Sequence, residues 1–160
     1  METRFLLPHR AKTMGWLIFI PSLLLGVIQF FSTYEPKWLD AEVPALFYTD
    51  WLLADKGERF LFFTLIQNNL ADEICALLLL IGGLLLVFAR EVHEDEMIMK
   101  IRLESMLWSA RVNGIVILFC IIFIYDITFY YVMVLNLFLL FFLFIGRFEW
   151  ALRSLRRESE

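Results

Sequence analysis

The stretch FLFFTLIQNNLADEICALLLLIGGLLLVFA occupies residues 60–89, and where it is divided decides the fold. As one helix it would run about 45 Å at 1.5 Å per residue, against a bilayer core of roughly 30 Å. It would also place Asp72 and Glu73 in lipid, at roughly 2.5–3.5 kcal/mol for an Asp at mid-helix on insertion scales. Divided at NNLADE, Asn69 caps a new helix and Asp72 reaches back from its third position, as in a capping box. Asp72 and Glu73 then lie at the positive helix end. The division is the preferred reading. It starts a span at Leu70 and leaves FLFFTLI, too short to cross a membrane alone.

The chain around it has the same character. Of its 160 residues 61% are hydrophobic and 17% aromatic, where soluble domains are about half apolar. The apolar residues fall into four blocks of span length, 14–32, 70–89, 107–125 and 128–146. The first is too long and aromatic for a signal-peptide core, and no A-x-A site follows it, so it reads as a retained span. The expected fold is all-α: one integral membrane domain over 1–160, built as a four-helix bundle in contact with the lipid bilayer.

Orientation follows the flanking cations. Arg4, Arg10 and Lys12 precede the first span. Arg90, Lys100, Arg102 and Arg111 belong to the charged segment from Arg90 to Arg111, which runs into the start of the third block, and Arg147, Arg153, Arg156 and Arg157 follow the fourth. These eleven oppose three in 33–59: Lys37, Lys56 and Arg59. Both termini, the 90–106 segment and the 147–160 tail are therefore expected in the cytoplasm. Trp16, Trp108 and Trp150 would form an inner aromatic belt, with Trp38 and Trp51 outside. Spans three and four, joined by Asp126 and Ile127, should form a tight hairpin with Asp126 as N-cap. In the outer segment 33–69, Pro44 suits a helix start and Gly57 a helix end. ALFYTDWLLAD between them is expected as an interfacial helix.

The stretch AREVHEDEMIMKIRLESMLWS, 89–109, is charged between apolar blocks. If it is helical, His93, Glu96, Lys100, Glu104 and Arg111 share one stripe, with Glu96 and Lys100 an acid-before-base pair. Glu91, Asp95, Arg102, Ser109 and Asn113 share another, which continues into the membrane. The segment then extends span three as a cytoplasmic helix with a polar seam facing the bundle. Arg102, on that seam, is expected to pair with Asp95, Glu91 or Glu149; binding a lipid phosphate is the alternative. Asn113 and Asn136 lie within spans and read as interhelical glue. Gly82 and Gly83 allow a close helix approach.

Consecutive residues on a helix diverge, so HEDE makes a poor metal site. Cys75 and Cys120 have neither CxxC nor knuckle spacing and read as buried thiols. Neither a nucleophile triad, a phosphate loop nor HExxH is present, so no catalytic residue, cofactor or metal is assigned. No basic arm or stacking platform suggests nucleic acid.

NNLADEICALLLLIGG, then EDEMIMKIRLES with Trp108 and Asn113, then YVMVLNLF and RFEW, resembles a group of uncharacterised small multi-pass membrane proteins of Bacteroidetes-type bacteria. The resemblance covers about residues 60–150 and implies a bacterial inner membrane, with no activity attached. The expected function is an accessory or regulatory protein docking a protein partner through its cytoplasmic helix, with self-association left open. The alternative is an oligomeric channel or an ion-coupled transporter using Asp72 and Glu73.

Overall fold

The computed structural model describes residues 6–32, 36–49, 60–92 and 95–158. It is mostly helical, with a small two-stranded sheet. In order, the chain forms α1 (Arg10–Phe31), a 3-10 turn (Lys37–Leu39), β1 (Asp40–Thr49), β2 (Phe60–Asn69), α2 (Ala71–Phe88), α3 (Glu96–Phe123) and α4 (Asp126–Glu158). All four helices are long and apolar enough to cross a membrane. Leu17, Ile28, Leu118, Phe123 and Leu137 lie on their surfaces, each more than half exposed. Water would penalise so much apolar surface, whereas lipid does not. The chain therefore has the character of an integral membrane protein.

Two compact units are present. The first comprises residues 1–22 and 78–160, the second residues 23–77.

In the first unit, glycines set how closely helices meet. A Cβ on Gly82 of α2 would lie 2.9 Å from the Phe19 backbone nitrogen of α1. One on Gly83 would meet the Phe141 ring of α4 at 3.1 Å, and one on Gly15 the Leu86 side chain at 2.9 Å. The expected close approach is thus made by both Gly82 and Gly83. Phe19 is buried and also packs on Phe142, with ring centroids 5.4 Å apart. Ser22, beside the helix-interior Pro21, keeps its hydroxyl satisfied by donating to Ile18 O at 2.7 Å. α3 and α4 are joined by Ile124 and Tyr125 alone, so they run antiparallel. Asp126 opens α4 at φ 63°, a left-handed conformation that Asp tolerates better than most residues.

Both of these helices exceed the apolar blocks that announced them. α3 has 28 residues and α4 has 33, about 42 and 50 Å at 1.5 Å per residue. The tail beyond residue 146 therefore continues as helix to Glu158. The expected extension of span three is present from Glu96 on, while Arg90 and Glu91 lie outside the helix.

The second unit overturns the all-α expectation. β1 and β2 pair antiparallel, with Asp40 opposite Asn69, Val43 opposite Ile66 and Phe47 opposite Phe62. Pro44 sits inside β1 opposite Leu65 and starts no helix. The aromatic and β-branched residues of FLFFTLI suit a strand, and ALFYT supplies the partner that completes its backbone hydrogen bonds. The rest of the expected interfacial helix, residues 50–55, lies outside the described residues.

The division at NNLADE is present in detail. Residues 60–69 are strand and α2 begins at Ala71. Asn69 Oδ1 accepts from Ala71 N at 3.1 Å, and Asn69 Nδ2 donates to Asp40 Oδ1 at 2.6 Å and to Pro36 O at 2.9 Å. The residue that reaches back is Glu73, which accepts from Asn68 Nδ2 at 2.7 Å; no described hydrogen bond involves Asp72.

Candidate functional site

The polar side chains gather where α1 begins, α2 ends, α3 begins and α4 nears its end. The last carbonyls of a helix lack intrahelical donors, and the carbonyls at and just past the end of α2 meet partners from three directions. Leu7 N donates to Phe88 O at 2.8 Å, and Arg90 N donates back to Leu7 O at 2.9 Å. Arg102 Nη1 donates to Val87 O at 2.9 Å and Nη2 to Ala89 O at 3.0 Å. His9 Nδ1 lies 3.2 Å from Arg90 O. A guanidinium suits this place twice over, since its planar fork serves two acceptors and its charge opposes the negative helix end. Its carbon stands 4.8 Å over the ring of buried Phe148, adding a cation–π contact.

Beside this cap lies an ion network. Lys12 Nζ is 2.5 Å from Glu91 Oε1 and 2.6 Å from Glu149 Oε1. Arg156 approaches Glu91 Oε2 at 3.8 Å. The Glu91 side chain is only 4% exposed, against 70% for Arg156. Lys12 therefore ties α1 to the α2–α3 connector and to α4 through two carboxylates that would otherwise repel one another.

The sequence-derived candidates distribute as follows. Glu91 and Glu149, expected to pair with Arg102, are held by Lys12. Asp95 is the N-cap of α3, accepting from Ile98 N at 2.8 Å, which fits its side chain. The described polar partners of Arg102 are carbonyls, a correction with a plain cause. Sequence spacing locates a seam but does not show that another helix ends on it. Of that stripe Ser109 is buried, as is Ser105 one turn before it, with Ser109 Oγ donating to Ser105 O at 2.7 Å.

Asn113 Oδ1 on α3 and Asn136 Nδ2 on α4 are buried without a hydrogen-bond partner among the described residues, so neither atom makes the expected interhelical bond there. Glu104 is exposed on the opposite face of α3, with Glu96, Lys100 and Arg111. Glu96 and Lys100 form no ion pair, and His93 and Glu94 lie outside the described residues. Asp72 and Glu73 are exposed in the first turn of α2, in the other unit, beside a shallow groove also lined by Asp40, Glu42 and Asn68.

Lys12 and His9 were not singled out from the sequence. The only available signal was a cation in the first turn of a span, and that reads equally well as a topology marker. Chemically the junction is an electrostatic lock, in which Lys12 meets Glu91 and Glu149, Arg102 meets two carbonyls, and residues at one end of each of the four helices take part. No protein-family model matches the chain, and neither curated proteins nor solved structures show a significant match to it.

Proposed function

We propose that this chain is a non-enzymatic accessory protein of a bacterial inner membrane. Both termini would lie in the cytoplasm, and a partner protein would dock on the outward face of the first turns of α3. The observation that carries this reading is the division of one helix into two faces. Glu96, Met97, Lys100, Leu103 and Glu104 are exposed, while Arg102, Ser105 and Ser109 on the other side are engaged with the rest of the unit. A face mixing apolar side chains with charges of both signs suits a protein surface, and the junction behind it keeps it rigid. About 12 Å of α3 exceeds the hydrocarbon thickness, which leaves room for such a face in water.

Inner placement is supported by the eleven-to-three distribution of cations, and bacterial origin by the resemblance over residues 60–150. An ion-coupled transporter would draw on acids within the lipid. Asp72 and Glu73 stand exposed at a helix start, which favours docking.

A photoreactive residue at Leu103, in the full chain in native membranes, is expected to give a discrete protein adduct that Lys100→Glu suppresses. The same probe at Leu118 should give lipid adducts. Lipid adducts alone at Leu103 would reject the docking reading.

A further inference from the structure

Arg111 is a cation within a membrane-length helix, exposed and without an ion-pair or hydrogen-bond partner among the described residues. It is twelve residues from the C-terminal end of α3, or about 18 Å along the axis. If that end marks one boundary of a core of roughly 30 Å, Arg111 is rooted well inside the hydrocarbon. A guanidinium there must find an anion or extend to the headgroups. On its own face the nearest carboxylate is Glu104, two turns away, or about 10 Å.

Helix direction determines where the head of Arg111 goes. Side chains lean toward the N-terminus of their helix. Arg111 therefore leans toward Trp108, one turn nearer the start of α3. Arg147 is on antiparallel α4, so it leans the opposite way, and its guanidinium carbon stands 4.8 Å over the Trp108 ring. Arg147 is rooted about 32 Å from the start of α4, and Trp108 about 22 Å from the end of α3. The usual lean of a helical side chain would thus carry the Arg111 guanidinium toward the indole that Arg147 covers. That indole is close to the membrane boundary, where Trp favours the headgroup zone. Neither arginine has a carboxylate partner among the described residues.

We propose that Trp108, Arg111 and Arg147 form a binding site for the phosphate headgroup of an anionic lipid, in the leaflet at the N-terminal end of α3. Guanidinium forks match phosphate oxygens in pairs. The root of Arg111 in the hydrocarbon selects a lipid over a free anion, and two cations select a net negative headgroup over a zwitterion. This site is on a different part of α3 from the docking face and does not depend on it.

The test is thermal unfolding of the full-length protein in detergent with added phosphatidylglycerol, phosphatidylcholine or inorganic phosphate. Phosphatidylglycerol is expected to raise Tm by about 5 °C near saturation, through binding to the folded state alone. Phosphatidylcholine and inorganic phosphate should give less than half of that shift. Arg111→Gln and Arg147→Gln should each remove most of it, and Arg157→Gln in the exposed tail should leave it intact. Arg147→Gln also removes the Trp108 contact, so Arg111→Gln is the deciding variant. A full shift in Arg111→Gln, an equal shift with phosphatidylcholine, or the same shift with inorganic phosphate would each overturn the proposal.

Discussion

Lys12 and Arg102 are both cations near a helix start, yet the geometry assigns them different tasks. Lys12 neutralises Glu91, whose side chain is nearly inaccessible. Removing one partner of a buried pair leaves the other uncompensated, at about 3–5 kcal/mol. Lys12→Ala is expected near the lower end of that range in detergent unfolding, because Lys12 is itself 16% exposed. Lys100→Ala, on the open face, is expected to change stability by less than about 0.5 kcal/mol. Equal losses for the two would show that the network contributes nothing. Arg102 is a matter of shape as much as charge. Its two nitrogens serve two different carbonyls, which an ammonium on a shorter stem cannot match. Arg102→Lys should therefore lose about 1–3 kcal/mol; full retention would mean that charge alone is sufficient.

At the level of elements, contacts between helices decide more than the helices themselves. Adding a methyl at Gly82 places it against the α1 backbone at Phe19, which no rotamer change relieves. Gly82→Ala should cost about 1–3 kcal/mol through overpacking. At Gly26 nothing lies within 4 Å of an added Cβ, so Gly26→Ala should gain up to about 1 kcal/mol from helix propensity. The opposite ranking would mean that α1 does not pack on Gly82. Asn113 lies ten residues before the end of α3 and Asn136 ten residues after the start of α4, so the antiparallel hairpin sets them at one depth. Each has a buried amide atom with no partner. Replacing unsatisfied polar groups by apolar ones of similar size is neutral or stabilising. The double variant Asn113→Leu, Asn136→Leu should therefore be at least as stable as the parent. A loss above about 1 kcal/mol would reveal a hydrogen bond between them.

For the whole molecule, the arrangement to test is its orientation in the membrane. In the proposed orientation four crossings would put both termini on one side, the cytoplasmic side that the flanking cations favour. A reporter fused after Glu160 is expected to be active only when it matures in the cytoplasm. Activity confined to the periplasm would reverse the orientation and move the outward face of α3 to the other side of the membrane.

Composition and block length were sufficient to recognise four membrane-length helices, because crossing lipid requires about twenty apolar residues whatever the neighbours are. The start of α2 was legible at NNLADE for a local reason: a cap is made by residues adjacent in sequence. Of the polar stripe expected on α3, Ser109 is buried and Arg102 and Asn113 are half-buried, while Asp95 is an exposed cap and Glu91 lies outside the helix. The β1–β2 hairpin was not legible, because a strand is completed by hydrogen bonds to a partner elsewhere in the chain, and Pro44 alone suggested a helix start. Nor could the sequence show how far α3 and α4 continue past their apolar blocks, since a helix need not end where hydropathy falls. The carbonyl cap by Arg102 and the clamp by Lys12 belong wholly to the tertiary structure. Lys12 is 79 residues from Glu91 and 137 from Glu149, and only packing of the helices brings the three charges within hydrogen-bond distance.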